Sequence, residues 1–364
     1  MESRGYISSA FLYDSFDIKK EDDSRMQKRK WYIMCICVCW CMLGIIQSFA
    51  DAVERNKGNA LKPGDTIAIV SPASPADAAA EQSAVNMLQS WGYHVVPIST
   101  QQYGYFAGTD EERAAALNQC FKDDTVQAVL CANGGYGSAR VLDKLDYPMI
   151  QKHPKLFIGF SDITALHTAL GEKSNLVTIH GPMACTLNTE DSSAYTLKYF
   201  KKGLSSTKPI GPIPMPKGKS LHTIVPGKAE GRLTGGNLSI IAAAVGTPYE
   251  LQGTDAILVL EDVGEDAYRV DRMMQQLWQS GLLQRVRGIV YGEFIQCGHD
   301  PGDFTTEEVL GYYAKLAGKP TIAGLPVGHG TDNLFLPLGV HATIEADADD
   351  HAVVCIHEAA VKYI

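Results

Sequence analysis

Apolar, β-prone runs that alternate with helical stretches constrain this chain more than any other feature. Residues 66–73 (TIAIVSPA) lead into a helical pattern over 79–91, and 94–99 (HVVPIS) into another over 110–121. Residues 126–135 (VQAVLCANGG) lead into 138–145, residues 156–161 (LFIGFS) into 162–172, and 177–182 (VTIHGP) closes the series. Strands connected through helices run parallel, in a sheet covered on both faces. In such sheets ligands bind beyond the carboxyl ends of the strands. The pattern predicts one α/β domain over 60–200, and the carboxyl ends of its strands are the first place to look for chemistry.

The texture then changes. Residues 201–226 hold five prolines and hardly any periodicity, which reads as a linker between domains. Beyond it a second, smaller mixed α/β domain is expected over 227–364. Residues 229–246 (AEGRLTGGNLSIIAAAVG) read as a short strand, a glycine turn and a helix, and 256–264 (AILVLEDVG) as a buried strand ending in carboxylates. A long amphipathic helix over 268–280, a strand at 287–294, a helix over 305–316 and two terminal strands complete the expectation.

A chain of 364 residues, 45% hydrophobic, is long enough for two well-buried domains. Its net charge is −9; the first fifty residues hold 7 Lys+Arg against 6 Asp+Glu, so the remainder carries 25 against 35. No basic footprint for nucleic acid is present. The N-terminus has its own grammar. From Met26 a basic stretch (MQKRK) precedes an apolar core of about sixteen residues and then small residues near Ala50 and Ala52, the pattern of a secretory signal peptide. The expectations are an over-extended start over 1–25, a signal peptide over 26–52, export to the periplasm, and no stable membrane insertion once the signal is cleaved; the alternative is an uncleaved membrane anchor. Four of the nine cysteines (Cys35, Cys37, Cys39, Cys41) lie in that apolar core. The other five are scattered without a zinc-type spacing and read as small buried hydrophobes.

Several residues carry chemical potential. In 155–164 (KLFIGFSDIT), Ser161 stands between an apolar strand and a helix start, and two readings are open. Serine is a preferred N-cap, and Asp162 in the first turn suits the helix dipole. The same geometry presents a nucleophile's Oγ at the top of a sheet, with the next N–H aimed at a developing oxyanion, although Ile163 stands where G-x-S-x-G has its last glycine. The loop Asn133-Gly134-Gly135-Tyr136-Gly137 lets main-chain N–H groups approach a ligand; a tight turn is the alternative. Glu261 and Asp262 emerge from a buried strand, and His329 lies between two glycines. A carboxylate that orients an imidazole, and an imidazole that takes a serine proton, are what nucleophilic catalysis needs at neutral pH. Glu261 has Arg269 and Arg272 as alternative partners. A metal site from His180, His329 and nearby carboxylates lacks ligand spacing such as H-E-x-x-H.

At these residues the sequence resembles the serine LD-carboxypeptidase family, the muramoyltetrapeptide carboxypeptidases, with which the microcin C self-immunity proteins share a fold. The stretches that carry the resemblance include GDTIAIVSPAS, ANGGYGSARVLDKLDY, LFIGFSDITALH, GRLTGGNLSIIAAAVGTPYE, LVLEDVGEDAYRVDRMMQQLWQSGLL and LPVGHGTDN, spread from Leu61 to the C-terminus. The resemblance implies a Rossmann-like N-terminal domain bearing the nucleophile, and a C-terminal domain bearing the carboxylate and histidine. Carried over by motif, Ser161 is the nucleophile, Glu261 the orienting carboxylate and His329 the general base. The N–H groups of Asp162 and Gly135 form the oxyanion hole, and no metal or organic cofactor is implied. The implied substrate is a muropeptide, a stem tetrapeptide losing its terminal D-alanine, and a homodimer is the implied assembly. Relatives often have arginine where Asn133 stands. Two alternatives remain at this level: a microcin C-type peptidyl-nucleotide amidase, and an exported protein that binds a peptide without cutting it.

Overall fold

The computed structural model describes residues 54–188 and 190–363; the signal-peptide expectation falls outside them. The alternating runs form five strands: β1 (Thr66–Val70), β2 (His94–Pro97), β3 (Val126–Cys131), β4 (Leu156–Gly159) and β5 (Thr178–His180). All five pair in parallel, in the order β2-β1-β3-β4-β5. Their apolar continuity has a direct cause. In β1, Ala68 and Val70 enter one core with Phe121 and Leu166, while Ile67 and Ile69 enter the other with Leu88 and Phe200. Both faces are buried, so no polar alternation survives in the sequence.

The helices fall close to their expected positions, at Ala78–Ser90, Asp110–Lys122 and Thr164–Ser174. Thr109 opens the second with a reciprocal capping box to Glu112. The expected helix at 138–145 is instead a 3-10 segment, Ser138–Lys144.

Residues read as a linker are ordered. The helix Ala194–Ser205 runs into them, and β6 (Gly211–Pro212) and β7 (His222–Val225) lie inside them. These join β8 (Gly227–Asn237), β9 (Ala256–Val263), β10 (Gly288–Ile295) and β11 (Thr321–Ala323). β12 (Leu336–Leu338) follows in the chain, then β13 (His341–Ala346) and β14 (Ala352–Ile356). The second sheet is mixed, ordered β6-β14-β13-β8-β9-β10-β11-β7, with β8 to β11 parallel at its centre. β12 crosses to the first sheet and pairs antiparallel with β5, Leu336 opposite His180. From Arg55 onward the chain forms one compact unit.

One element differs in kind from its expectation. The stretch read as a short strand and a glycine turn is a single strand, β8, running straight through Gly235 and Gly236. A Cβ at Gly235 would lie 2.0 Å from Val259 O, and one at Gly236 would lie 2.6 Å from Thr164 Oγ1. The glycines serve close approach to β9 and to the helix behind Ser161, not a turn.

Candidate active site

β4 ends at Gly159, and Ser161 opens a 3-10 turn (Ser161–Ile163) that feeds the helix Thr164–Ser174. The N-cap positions of these two segments are Phe160 and Ile163, and neither has a side-chain capping bond. The cap reading of Ser161 is therefore not realised. Its backbone is left-handed, φ 61°, a conformation that costs a residue with a Cβ roughly 1–2 kcal/mol. Non-glycine residues held there mark sites where the surrounding structure imposes geometry.

The 133–137 loop packs directly on this turn. A Cβ at Gly134 would stand 3.1 Å from Ser161 Cβ and 3.3 Å from its Oγ, and Gly135 is left-handed at φ +83°. Asn133 knits the loop: its Nδ2 donates to Pro75 O at 2.9 Å, and its Oδ1 accepts from Gly134 N at 2.8 Å. Ser74 Oγ accepts from Tyr136 N at 3.2 Å. Asp162 is buried, its carboxylate accepting from Ser138 N at 2.8 Å. Burial pushes the Asp162 carboxyl above its usual range, and the Ser138 hydrogen bonds work against that shift.

Glu261 projects from β9 into the interior with no exposed surface. Its Oε2 lies 2.8 Å from His329 Nδ1, so the imidazole directs one nitrogen to the carboxylate and keeps Nε2 available. Arg269 turns instead to Tyr268, Glu265 and Asp266. Burial pushes the Glu261 carboxyl up, while the bond from His329 opposes the shift. A buried carboxylate of this kind gains most when its partner carries positive charge. Two glycines make the approach feasible: a Cβ at Gly328 would fall 2.8 Å from Glu261 Oε2, and one at Gly292 would fall 3.1 Å from Glu261 Cβ.

Phe160 joins the two halves, its ring centroid 4.9 Å from that of His329. The residue before Ser161 thus touches the histidine paired with Glu261. Behind Phe160 lie His180 and His167, both fully buried. Burial lowers His180 well below the usual histidine value, and lowers His167 to about 4; both are neutral imidazoles at physiological pH. Among the described residues no group of three or more His, Cys, Asp or Glu side chains gathers as a metal-ligand set. Of the five scattered cysteines, Cys120 and Cys131 are buried and Cys185, Cys297 and Cys355 partly so.

Some residues at the site were given no role in the sequence reading. Lys219, inside the segment read as linker, bridges Glu293 Oε1 at 2.6 Å and Asp332 Oδ2 at 3.0 Å. Asp332 Oδ1 also accepts from Ser193 Oγ at 2.6 Å. The bridge ties the loop carrying His329 to β10. Asn237, at the end of β8, donates from Nδ2 to Asp262 Oδ1 at 3.0 Å and from its backbone N–H to Thr164 Oγ1 at 2.9 Å. It links β9 to the helix behind Ser161.

This architecture has counterparts. Residues 67–181 match the LD-carboxypeptidase N-terminal domain and residues 230–344 the LD-carboxypeptidase C-terminal domain, the two parts of peptidase S66. A Bacillus subtilis (strain 168) protein named "Probable murein peptide carboxypeptidase" is 38% identical over 308 residues, covering 82% of this chain and 94% of that protein. The solved muramoyltetrapeptide carboxypeptidase from Oxalobacter formigenes superposes with a TM-score of 0.69 at 31% identity, over 80% of this chain and 99% of that one. An MccF-like protein from Bacillus anthracis superposes at 0.74 with 30% identity, over 83% and 99%.

Proposed function

Because this chain belongs to the LD-carboxypeptidase family, peptidase S66, we propose that it is a serine-type carboxypeptidase that releases the terminal D-alanine from peptidoglycan stem tetrapeptides. Ser161 Oγ attacks the carbonyl of the third stem residue while His329 Nε2 takes its proton. Glu261 holds the imidazole through Nδ1 and stabilises the imidazolium that forms. The N–H groups of Asp162 and Gly135 receive the developing oxyanion. Collapse of the tetrahedral intermediate breaks the C–N bond, and His329 returns the proton to the departing D-alanine amine. Water, deprotonated by the same imidazole, then hydrolyses the acyl-enzyme ester and restores Ser161.

The observation that carries this reading is the left-handed Ser161, whose hydroxyl caps no helix and whose neighbour Phe160 lies against the Glu261-bonded imidazole. The kinetic test is a set of single substitutions with their combination. Ser161→Ala, Glu261→Ala and His329→Ala each remove most turnover, and the triple variant is little worse than the worst single, because the three act as a unit. Near-additive losses contradict the assignment.

We further propose export to the periplasm, a reading supported by the signal grammar of residues 26–52. Fractionation that leaves the full-length chain in the cytoplasm contradicts this.

A further inference from the structure

Beside the Ser161 loop stands an aromatic shelf that the proposed chemistry leaves unused. After β2 the chain turns tightly through Tyr103-Gly104-Tyr105-Phe106. Tyr103 N donates to Phe106 O and Phe106 N to Tyr103 O, each at 3.0 Å, with Gly104 left-handed at φ 61°. The turn holds Tyr105 in water, 64% exposed, and tucks Phe106 inward at 6%. The Tyr105 ring lies 4.4 Å from Phe106 and 6.0 Å from Tyr136, and Phe106 lies 5.8 Å from Tyr136. Tyr136 is itself half exposed.

The shelf is braced from behind. The Arg113 and Arg140 guanidinium carbons stand 4.8 and 5.1 Å from the Phe106 ring centroid. Both arginines pair with Asp110, and Arg113, fully buried, also donates to Pro72 O and, at 2.8 Å, to Gly137 O. Exposed rings held in place this way present wide contact area at little conformational cost on binding. A cluster of them on a soluble surface marks an interaction site.

Position and reach select the occupant. Tyr136 belongs to the loop whose Gly134 lies against Ser161. It follows that glycine by two residues, about 7 Å along the chain, with the Tyr105 ring adjoining its own. On the leaving side of the scissile bond stands D-alanine alone, spanning about 3.5 Å. On the acyl side three residues extend about 10 Å before the muramoyl group, a saccharide acyl group on the peptide N-terminus. Of the two sides, only the acyl side is long enough to extend that far. We propose that Tyr105 and Tyr136 form a subsite for the muramoyl sugar, whose apolar ring face lies on the aromatic rings; this rests on the carboxypeptidase reading of the same site.

The test compares two substrates, muramoyl tetrapeptide and the free tetrapeptide, on the parent, Tyr105→Ala, Tyr136→Ala and Tyr105→Phe. The parent prefers the muramoyl form. Each alanine variant lowers the kcat/KM ratio of muramoyl to free peptide, by about tenfold for loss of one good stacking partner. Tyr105→Phe keeps the ratio, because the ring and not the hydroxyl makes the contact. Thermal melting of Tyr105→Ala, an exposed position, checks that the fold is intact. A parent that cleaves both substrates, with a ratio unchanged in the alanine variants, overturns the subsite and leaves the carboxypeptidase reading standing. A parent that releases D-alanine from neither substrate overturns that reading itself.

Discussion

At the residue scale the decisive feature is the cost that Ser161 carries. A serine at φ 61° is less stable than glycine in that conformation, and its hydroxyl recovers nothing by capping. Ser161→Ala and Ser161→Gly both remove the hydroxyl and both abolish turnover, but only glycine relieves the strain. Ser161→Gly is therefore more stable than Ser161→Ala by about 1 kcal/mol, after allowing for glycine's greater unfolded-state entropy. That corresponds to a Tm higher by about 2 °C in a chain of this size. Alanine melting as high as glycine contradicts the strain argument. Ser161, the 133–137 loop and His329 stood out at this scale because each sits in a short glycine-flanked stretch, and Glu261 because it ends a buried apolar run. Tyr105 was not legible as their neighbour. It lies some thirty residues before Tyr136 in sequence, and only the turn at Tyr103–Phe106 brings the two rings together.

At the element scale, strands buried on both faces announced themselves as apolar runs, and the capped helices fell nearly where their patterns put them. Elements that failed to announce themselves are short or proline-bearing: β6 is two residues, and β12 carries Pro337 in its centre. β8 was misread because a paired glycine ordinarily signals a turn, whereas here it marks close backbone approach to Val259 and Thr164. The segment between β6 and β7 also holds Lys219, which fastens the His329 loop through Glu293 and Asp332. Lys219→Met leaves two largely buried carboxylates facing each other. With Lys219 itself partly exposed, the expected loss of stability is only about 1 kcal/mol. Turnover suffers more: kcat falls roughly tenfold as the imidazole loses its fixed position, while Lys219→Arg retains most of it. Unchanged kcat in Lys219→Met contradicts the positioning role, and steady-state kinetics beside a melting curve separate the two effects.

At the scale of the whole molecule, the candidate site belongs to neither sheet alone. Ser161 leaves β4 of the first sheet, Glu261 lies on β9 of the second, and His329 sits in the loop between β11 and β12. β12 then crosses back to pair with β5 of the first sheet. The histidine loop is thereby anchored twice just beyond His329, by Lys219 through Asp332 and by the pairing of β12 with β5. Such a crossing was not legible in the sequence, because a three-residue strand pairs by position in space and not by pattern. The central claim is that this assembly cuts the bond before a terminal D-alanine through Ser161. Its most direct test is mass spectrometry of muramoyl tetrapeptide incubated with the chain beginning at Asp51, beside the same chain carrying Ser161→Ala. Loss of one D-alanine with the parent and none with the variant is the predicted result; intact peptide with both, or equal loss with both, would contradict it.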